Sequence, residues 1–245
     1  MAAVRPRPVA GVMRNILVTA GPTREHLDDV RFLSNGSTGR MGYALAEAAR
    51  DAGHRVHLVL GPVDSVAPHG ITVESVTSAL EMQAAAERAF AACDIAVATA
   101  AVADWRPRER LQGKPPRKGG TVTLDLVPNP DIVAGLAAHK GRRVVVGFAL
   151  ESAAAGMAAA VERARAKLAN KQLDLVVANL TDAIGAEASE AVIVRADGAA
   201  EPLGRIGKHA LARRILDAAE VIWQQKQSNN LDAHQDPAGG GKRSS

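Results

Sequence analysis

The chain has 245 residues, of which 47% are apolar and 23% charged, the balance of a soluble globular protein built as one domain or two small ones. A single cysteine, Cys93, excludes an internal disulfide framework and points to a reducing cytoplasm; no run approaches the roughly 18 apolar residues of a membrane span, and the start MAAVRPRPVAGVM lacks the apolar core of a secretory signal. The net charge of +4 and pI near 9.5 admit a polyanionic partner, but six cations and two acids between positions 101 and 120 supply a surplus equal to the whole, and 2% aromatic residues leave no platform for stacked bases, so a local anion clamp is expected rather than nucleic-acid binding.

Residues 1–13, rich in Pro, Ala and Arg, read as a disordered leader, and 14–226 as the folded unit. NILVTA at Asn15–Ala20 is a short apolar strand. RMGYALAEAARDA over Arg40–Ala52 has helical spacing and stops at Gly53, a natural left-handed terminator. Strands come next at Arg55–Leu60, closed by Gly61-Pro62, and at Ile71–Val76. Ser78 and Glu81 form a capping box that opens a helix through Ala92. DIAVATAA over Asp94–Ala101 is a buried strand, and beyond the basic loop Thr121–Val127 is another.

Asn129 is placed to cap a helix whose first position is Pro130 and which ends near His139. Arg143–Ala149 is a strand, Ala153–Asn170 a helix and Leu173–Asn179 a strand. Ala191–Arg195 runs into Asp197-Gly198, a hairpin signal. A last helix spans Lys208 to about Gln224, and 227–245 read as a disordered polar tail. Strands alternating with helices imply crossover units. The expected fold is therefore α/β, a single Rossmann-like domain with a mainly parallel sheet and helices on both faces.

In such sheets ligands bind outside the carboxyl ends of the strands, so chemistry is sought in the loops that leave those ends. After the first strand and Arg31 comes SNGSTGRMG, immediately before a helix. Gly36, Ser37, Thr38 and Gly39 are small enough for backbone N–H groups to approach an anion, and the helix start adds its positive dipole end. The glycine spacing fits neither G-x-G-x-x-G nor G-x-x-x-x-G-K-[ST], and a simple turn into the helix is the plain alternative. Asn35 and Arg31 share this loop; an amide can donate and accept, and a guanidinium forks onto a carboxylate or phosphate, whereas an Asn in a turn often only bonds locally.

At the end of the buried strand, Ala98, Thr99, Ala100 and Asp104 offer a flat small-residue wall with an acid at the rim, or merely a close-packed one. Arg163, Lys167 and Lys171 recur every four residues on one helix face; like charges there repel unless an anion sits between them, or unless the face is simply solvated.

Several chemistries are absent. No G-x-S-x-G elbow is present, and Tyr43, the only tyrosine, has Glu47 where a dehydrogenase proton relay needs lysine. The seven histidines show no zinc spacing; His54 and His57, flanking a strand, are expected at the surface. Cys93 is expected to be an apolar filler.

The order TAGPTRE, VRFLSNGSTGRMG, AAVADWRP, NPDIVA, GFALES, a lysine-bearing helix and LDLVVAN closely resembles phosphopantothenoylcysteine synthetase, the ligase half of a bifunctional coenzyme A biosynthesis protein of many bacteria. The similarity covers about residues 14–225. It implies a cytoplasmic ligase that joins 4′-phosphopantothenate to L-cysteine at the expense of CTP, through an acyl-cytidylate, with release of CMP and pyrophosphate. It also implies Mg²⁺, a homodimer and the possibility of a separate decarboxylase partner. With about 13 residues before the first strand, no flavin-bearing half is expected and the chain looks free-standing.

By the same resemblance Asn35 contacts the substrate and the acyl intermediate, Arg31 supports its loop, and the Gly36–Gly39 backbone cradles phosphate. Ala98, Thr99, Ala100 and Asp104 match the nucleotide-binding strand end, Pro130, Asp131, Ile132 and Val133 a nucleotide-contacting segment, Phe148 the base, and Lys167 and Lys171 nucleotide-contacting lysines. Lys114 stands where the family has the first lysine of a K-x-K-K flap over the triphosphate. The metal ligands stay open.

Departures are visible. The flap reads Lys114-Pro115-Pro116-Arg117-Lys118, and two prolines stiffen it. GRMG replaces GKMG, FALES stands for FAAET, and the segment after Asn179 lacks the usual Phe and Asn. A nicotinamide-dependent oxidoreductase on the same fold lacks its glycine turn and its tyrosine. A non-catalytic nucleotide-binding protein that keeps the fold is the remaining alternative, because of the altered flap.

Overall fold

The apolar run Asn15–Ala20 becomes β1, and everything else is arranged around it. The computed structural model describes residues 12–116 and 119–233, so most of the leader, Arg117, Lys118 and the last twelve residues of the expected tail lie outside the described residues. After β1 come β2 (Arg24–His26), β3 (Phe32–Ser34), α1 (Arg40–Asp51), β4 (Arg55–Leu60), β5 (Thr72–Ser75), α2 (Ala79–Phe90) and β6 (Ile95–Ala98). The chain continues through β7 (Trp105–Pro107), β8 (Leu126–Pro128), α3 (Ile132–Ala138), β9 (Val144–Glu151), α4 (Gly156–Asn170), β10 (Leu175–Leu180), β11 (Ala188–Arg195), β12 (Ala200–Gly207) and α5 (Lys208–Ala233).

Eight strands form one sheet in the order β12-β11-β10-β9-β6-β1-β4-β5. The six from β5 to β10 in that order are parallel, and the β11–β12 hairpin closes one edge antiparallel. The strands are apolar on both faces because both are covered. Ile16, Val18 and Ala20 pack with α1 and α5, through Leu45, Ala49, Leu211 and Ile215. Leu17 packs on the other face with Met82 of α2, Leu136 of α3 and Ala160 and Ala164 of α4. Each fully buried Leu or Ile contributes about 1.5–3 kcal/mol, so this alternation along β1 fixes its register.

The order in which strands are added reverses between β1 and β6, which remain parallel. From β1 the chain builds outward through β4 and β5, then returns to β1's other side with β6. That switch point opens a crevice at the carboxyl ends. The approach there is close: a Cβ on Gly42 would meet Ala20 Cβ at 2.2 Å, so only glycine lets α1 lie this near β1.

The elements expected from the sequence appear with revised limits. The strand expected at Asp94–Ala101 is regular only over Ile95–Ala98; beyond it Thr99 N–H and Ala101 N–H still donate to Thr19 O and Gly21 O, and Ala101 bridges to Pro22. Of Thr121–Val127 only the last two residues pair, in a short β7–β8 ribbon. Asn129 is not the cap of α3; Asp131 is, through Oδ1 accepting Ala134 N–H at 3.1 Å. Asn129 instead donates to Ala103 O at 2.8 Å. Residues 227–233, expected in the tail, are the last turns of α5. Lys226 Nζ donates to Arg143 O at 2.9 Å and Gln227 Nε2 to Arg142 O at 3.4 Å, docking the helix on the start of β9. The small β2–β3 hairpin has no counterpart among the expected elements.

His54 is also a correction. Its side chain is 4% exposed, with Nε2 2.6 Å from Glu220 Oε1, and Arg14 stacks over Trp223 beside it. A histidine on the surface of a bare strand is covered once α5 folds across it. Cys93 is buried, and burial pushes its thiol up to about 12, as suits an inert filler. Among the described residues no helix is long and apolar enough to cross a membrane.

Candidate functional site

Two cavities flank the switch point. The first, of about 370 Å³, is walled by Ala98 of β6 and Ala100–Asp104 after it, Asn129–Val133 before and in α3, Phe148 of β9, Lys167 of α4, Lys171 at the end of that helix and Thr19 of β1. Ten of the residues expected to bind nucleotide meet here although the chain separates them by as many as 73 positions: Ala98, Ala100, Asp104, Pro130, Asp131, Ile132, Val133, Phe148, Lys167 and Lys171. Thr99 does not line it. The Thr99 hydroxyl donates to Thr19 O at 2.8 Å and faces α1, because alternate residues of a strand point to opposite faces.

The second cavity, of about 460 Å³, is walled by Arg24, Phe32, Ser34, Asn35, Ser37, Thr38 and Arg40, with Pro62–Ser65 opposite. It contains the middle of the SNGSTGRMG loop. Gly39 adopts φ 73° at the N-cap of α1, a conformation that glycine takes without strain. Gly36 needs no such freedom, and a Cβ there would meet nothing, so the protein itself leaves that stretch of backbone open.

Asn35 joins the two cavities. Its Nδ2 donates to Ala101 O at 3.2 Å and to Val102 O at 3.0 Å, so the loop of the second cavity is bonded to the wall of the first. Arg31 lines neither cavity. Its Nε donates to Asp28 Oδ2 at 2.6 Å, with a second contact from Nη2. Asp28 also accepts Val30 N–H at 2.8 Å and Arg31 N–H at 2.7 Å, closing the hairpin turn. The guanidinium first, then these N–H groups, hold the Asp28 carboxyl down at about 2. The spacing Asp28–Arg31 is the signal by which the sequence announces this turn.

The charges differ from the expected picture in three ways. The basic loop is largely consumed by the protein itself. Arg106 donates to Pro128 O and Asn129 Oδ1, Arg108 pairs with Asp125 at 2.6 Å, and Arg110 with Asp29 at 2.9 Å. These acids are distant in sequence, so the surplus at 101–120 overstated the clamp. Second, the α4 stripe has acidic partners after all: Arg163 meets Glu151 at 3.2 Å and Lys171 meets Asp131 at 2.6 Å. Third, Lys114 is exposed and lines neither cavity, and Arg117 and Lys118 lie outside the described residues.

Lys167 stands at the back of the first cavity, donating to Phe148 O. Burial lowers its pKa, and Lys171 lowers it further, against Asp131, Glu151 and Asp104. A cation held this way in a cleft gains when an anion arrives. Asn179 at the end of β10 stands out in the sequence only as part of a motif. Its Oδ1 is buried without a hydrogen-bond partner among the described residues. Among the described residues no group of three His, Cys, Asp or Glu side chains forms a metal cage. Asp104, exposed at the rim, fits the weaker demand of a hard cation that arrives on phosphates and takes one carboxylate, whereas both Asp131 oxygens are engaged by Ala134 N–H and Lys171.

A family model described as the DNA/pantothenate metabolism flavoprotein C-terminal domain matches residues 12–222. The coenzyme A biosynthesis bifunctional protein CoaBC of Bacillus subtilis is 39% identical over 218 residues, 86% of this chain and 52% of that protein. The protein of the same name from Vibrio cholerae is 45% identical over 172 residues, 69% of this chain and 42% of that one. The chain therefore spans about half the length of these relatives or less. A crystal structure of the C-terminal domain of a CoaBC protein superposes with a TM-score of 0.74 at 33% identity, covering 88% of this chain and 98% of that one.

Proposed function

The chain belongs to the family of DNA/pantothenate metabolism flavoprotein C-terminal domains, and we propose that it is a phosphopantothenate–cysteine ligase of coenzyme A biosynthesis driven by CTP. The observation that carries the reading is the Asn35 bridge. One amide ties a phosphate-type loop to the wall of a cleft lined by Asp104, Phe148, Lys167 and Lys171. Two anionic substrates that must react with each other need such adjoining sites, because carboxylate and triphosphate repel until their charges are neutralised and aligned.

In this reading the first cavity takes the nucleotide, with the base against Ala98, Ala100 and Phe148. Asp131 to Val133 line its side, and Lys167 and Lys171 face the phosphates. The Gly36–Gly39 backbone holds a phosphate group, and Asn35, through its two donors to Ala101 O and Val102 O, fixes this loop so that the substrate carboxylate lies beside the nucleotide. That carboxylate attacks the α-phosphorus, forming an acyl-cytidylate and releasing pyrophosphate. The amine of L-cysteine then attacks the acyl carbon, forming the amide and releasing CMP. Asp104 would hold a Mg²⁺ ion arriving with the triphosphate, which would neutralise phosphate charge. Asn179 Oδ1, facing the α1 side of the sheet end, is a further acceptor for a ligand donor. Arg31 acts through Asp28 by fixing the hairpin that carries Asn35. The protein works in the cytoplasm as a homodimer.

The test is pyrophosphate release from 4′-phosphopantothenate, L-cysteine and Mg²⁺, with CTP and ATP in parallel. Release that requires phosphopantothenate, prefers CTP and yields the cysteine adduct by mass is the expected result. Nucleotide binding without release would leave a non-catalytic nucleotide-binding protein on the same fold.

A further inference from the structure

Asp29 lines neither cavity, yet the basic loop is fastened to the β2–β3 turn through it. Its Oδ1 accepts from Arg110 Nη2 at 2.9 Å, and its Oδ2 accepts Gly113 N–H at 2.9 Å. Its own N–H donates to Gly113 O at 3.2 Å, and Leu111 N–H donates to Leu27 O at 2.9 Å beside it. Gly113 is thus held at both its donor and its acceptor by one residue. The turn does not need this carboxylate, because Asp28 already closes it through Val30, Arg31 and the Arg31 guanidinium. The Asp29–Arg110 pair is more than half exposed and adds little to stability.

Lys114 comes directly after Gly113. Downstream, Pro115 and Pro116 have fixed φ, and Pro115 confines Lys114 to extended conformations. The arm from 114 to 116 therefore moves as a stiff piece about Gly113, whose φ is 67°. Whatever clamps Gly113 sets where Lys114 points.

We propose that Asp29 is a positioning residue that acts through Lys114: by clamping Gly113 it presents the Lys114 ammonium to the phosphate chain of the nucleotide. The proposal rests on the reading of Lys114 as a phosphate ligand. It gives the stiff Pro-Pro arm a fixed mount, which a flexible flap would not need.

The experiment uses the full chain with Asp29→Ala, Asp29→Asn, Lys114→Gln and the Asp29→Ala/Lys114→Gln pair. Asp29→Ala is expected to raise the nucleotide KM about 10-fold while leaving the phosphopantothenate KM and Tm near wild type. Asp29→Asn, which keeps an acceptor for Gly113 N–H, recovers part of the loss. On the Lys114→Gln background Asp29→Ala costs nothing more, since both remove one interaction. Multiplying losses, or a wild-type nucleotide KM in Asp29→Ala, would overturn the proposal. Tryptic cleavage after Arg110 gives a readout independent of turnover: it is expected to quicken in Asp29→Ala, and an unchanged rate would overturn the clamp itself. Absence of pyrophosphate release in the wild type would end the ligase reading and the role of Lys114 with it, while the cleavage rates would still report the clamp.

Discussion

At the amino end of the sheet, charges are buried and spent on one another. Asp174, just before β10, takes Lys140 at 2.9 Å and Lys226 at 2.6 Å on Oδ1 and Val145 N–H at 2.8 Å on Oδ2. His54 and Glu220 close a second such cluster, with Arg14 alongside, although the Arg14 Nε is buried without a partner among the described residues. At the carboxyl end, several polar groups have one partner or none. Asp104 stands exposed at a rim, Lys167 holds a single carbonyl in a cleft, and Asn179 Oδ1 has no partner among the described residues. The strands are the same, so the difference lies in the segments that join them. Helices return to the amino ends and bring their own counter-charges, while the crevice at the switch point leaves groups available to a ligand.

Substitutions at the two ends should therefore fail differently. The largest effect is expected from Asp174→Ala, which leaves two lysines facing a vacated acceptor. It should cost about 3–5 kcal/mol in denaturant unfolding, with turnover per folded molecule retained. A drop in kcat without loss of stability would erase the distinction between the ends. Asn35→Asp, at the other end, sets a charged oxygen against Ala101 O and Val102 O, where the amide donates. Turnover should fall about 100-fold, near 2.7 kcal/mol, in a protein of normal Tm. Near-normal turnover would remove Asn35 from the mechanism.

A subtler effect concerns Lys167. It is cationic only below a pKa that burial has lowered from the usual 10.5. As pH rises it loses its charge before an ordinary lysine does, so nucleotide affinity should begin to fall on the alkaline side earlier than an unburied lysine in its place would make it. Lys167→Arg, which stays charged, should flatten that limb; a profile superimposable on wild type would assign the limb elsewhere. The smallest effect is expected from Cys93→Ser, with wild-type turnover, since the proposed reaction uses the amine of a substrate cysteine and Cys93 is buried. Alkylation of native Cys93 should be slow, because burial holds the thiol at about 12.

Much of this was legible in the chain. The apolar runs at 15–20, 55–60 and 143–149 and the helix ending at Gly53 carried their periodicity and caps within a few residues. The serine half of the Ser78–Glu81 box forms as its spacing implies, but the Glu81 carboxylate accepts Thr77 N–H rather than Ser78 N–H, and a buried Glu25 accepts Ala79 N–H, which no local pattern announces. The α3 cap went to Asp131 because Asn129 is drawn to Ala103 O and Arg106, two contacts that exist only when the β7–β8 ribbon folds back.

The sequence by itself determined the alternation of strands and helices, the covered parallel sheet and the residues whose chemistry suits anions. These depend on local periodicity and side-chain type, which act over a few residues. The tertiary structure decided which charges remain available. It paired Arg108 with Asp125, Arg110 with Asp29 and Lys171 with Asp131, buried His54 under α5 and turned Thr99 away from the cleft. Electrostatic pairing acts across space, and partners 17, 81 and 40 positions apart become neighbours only once the crossovers are complete.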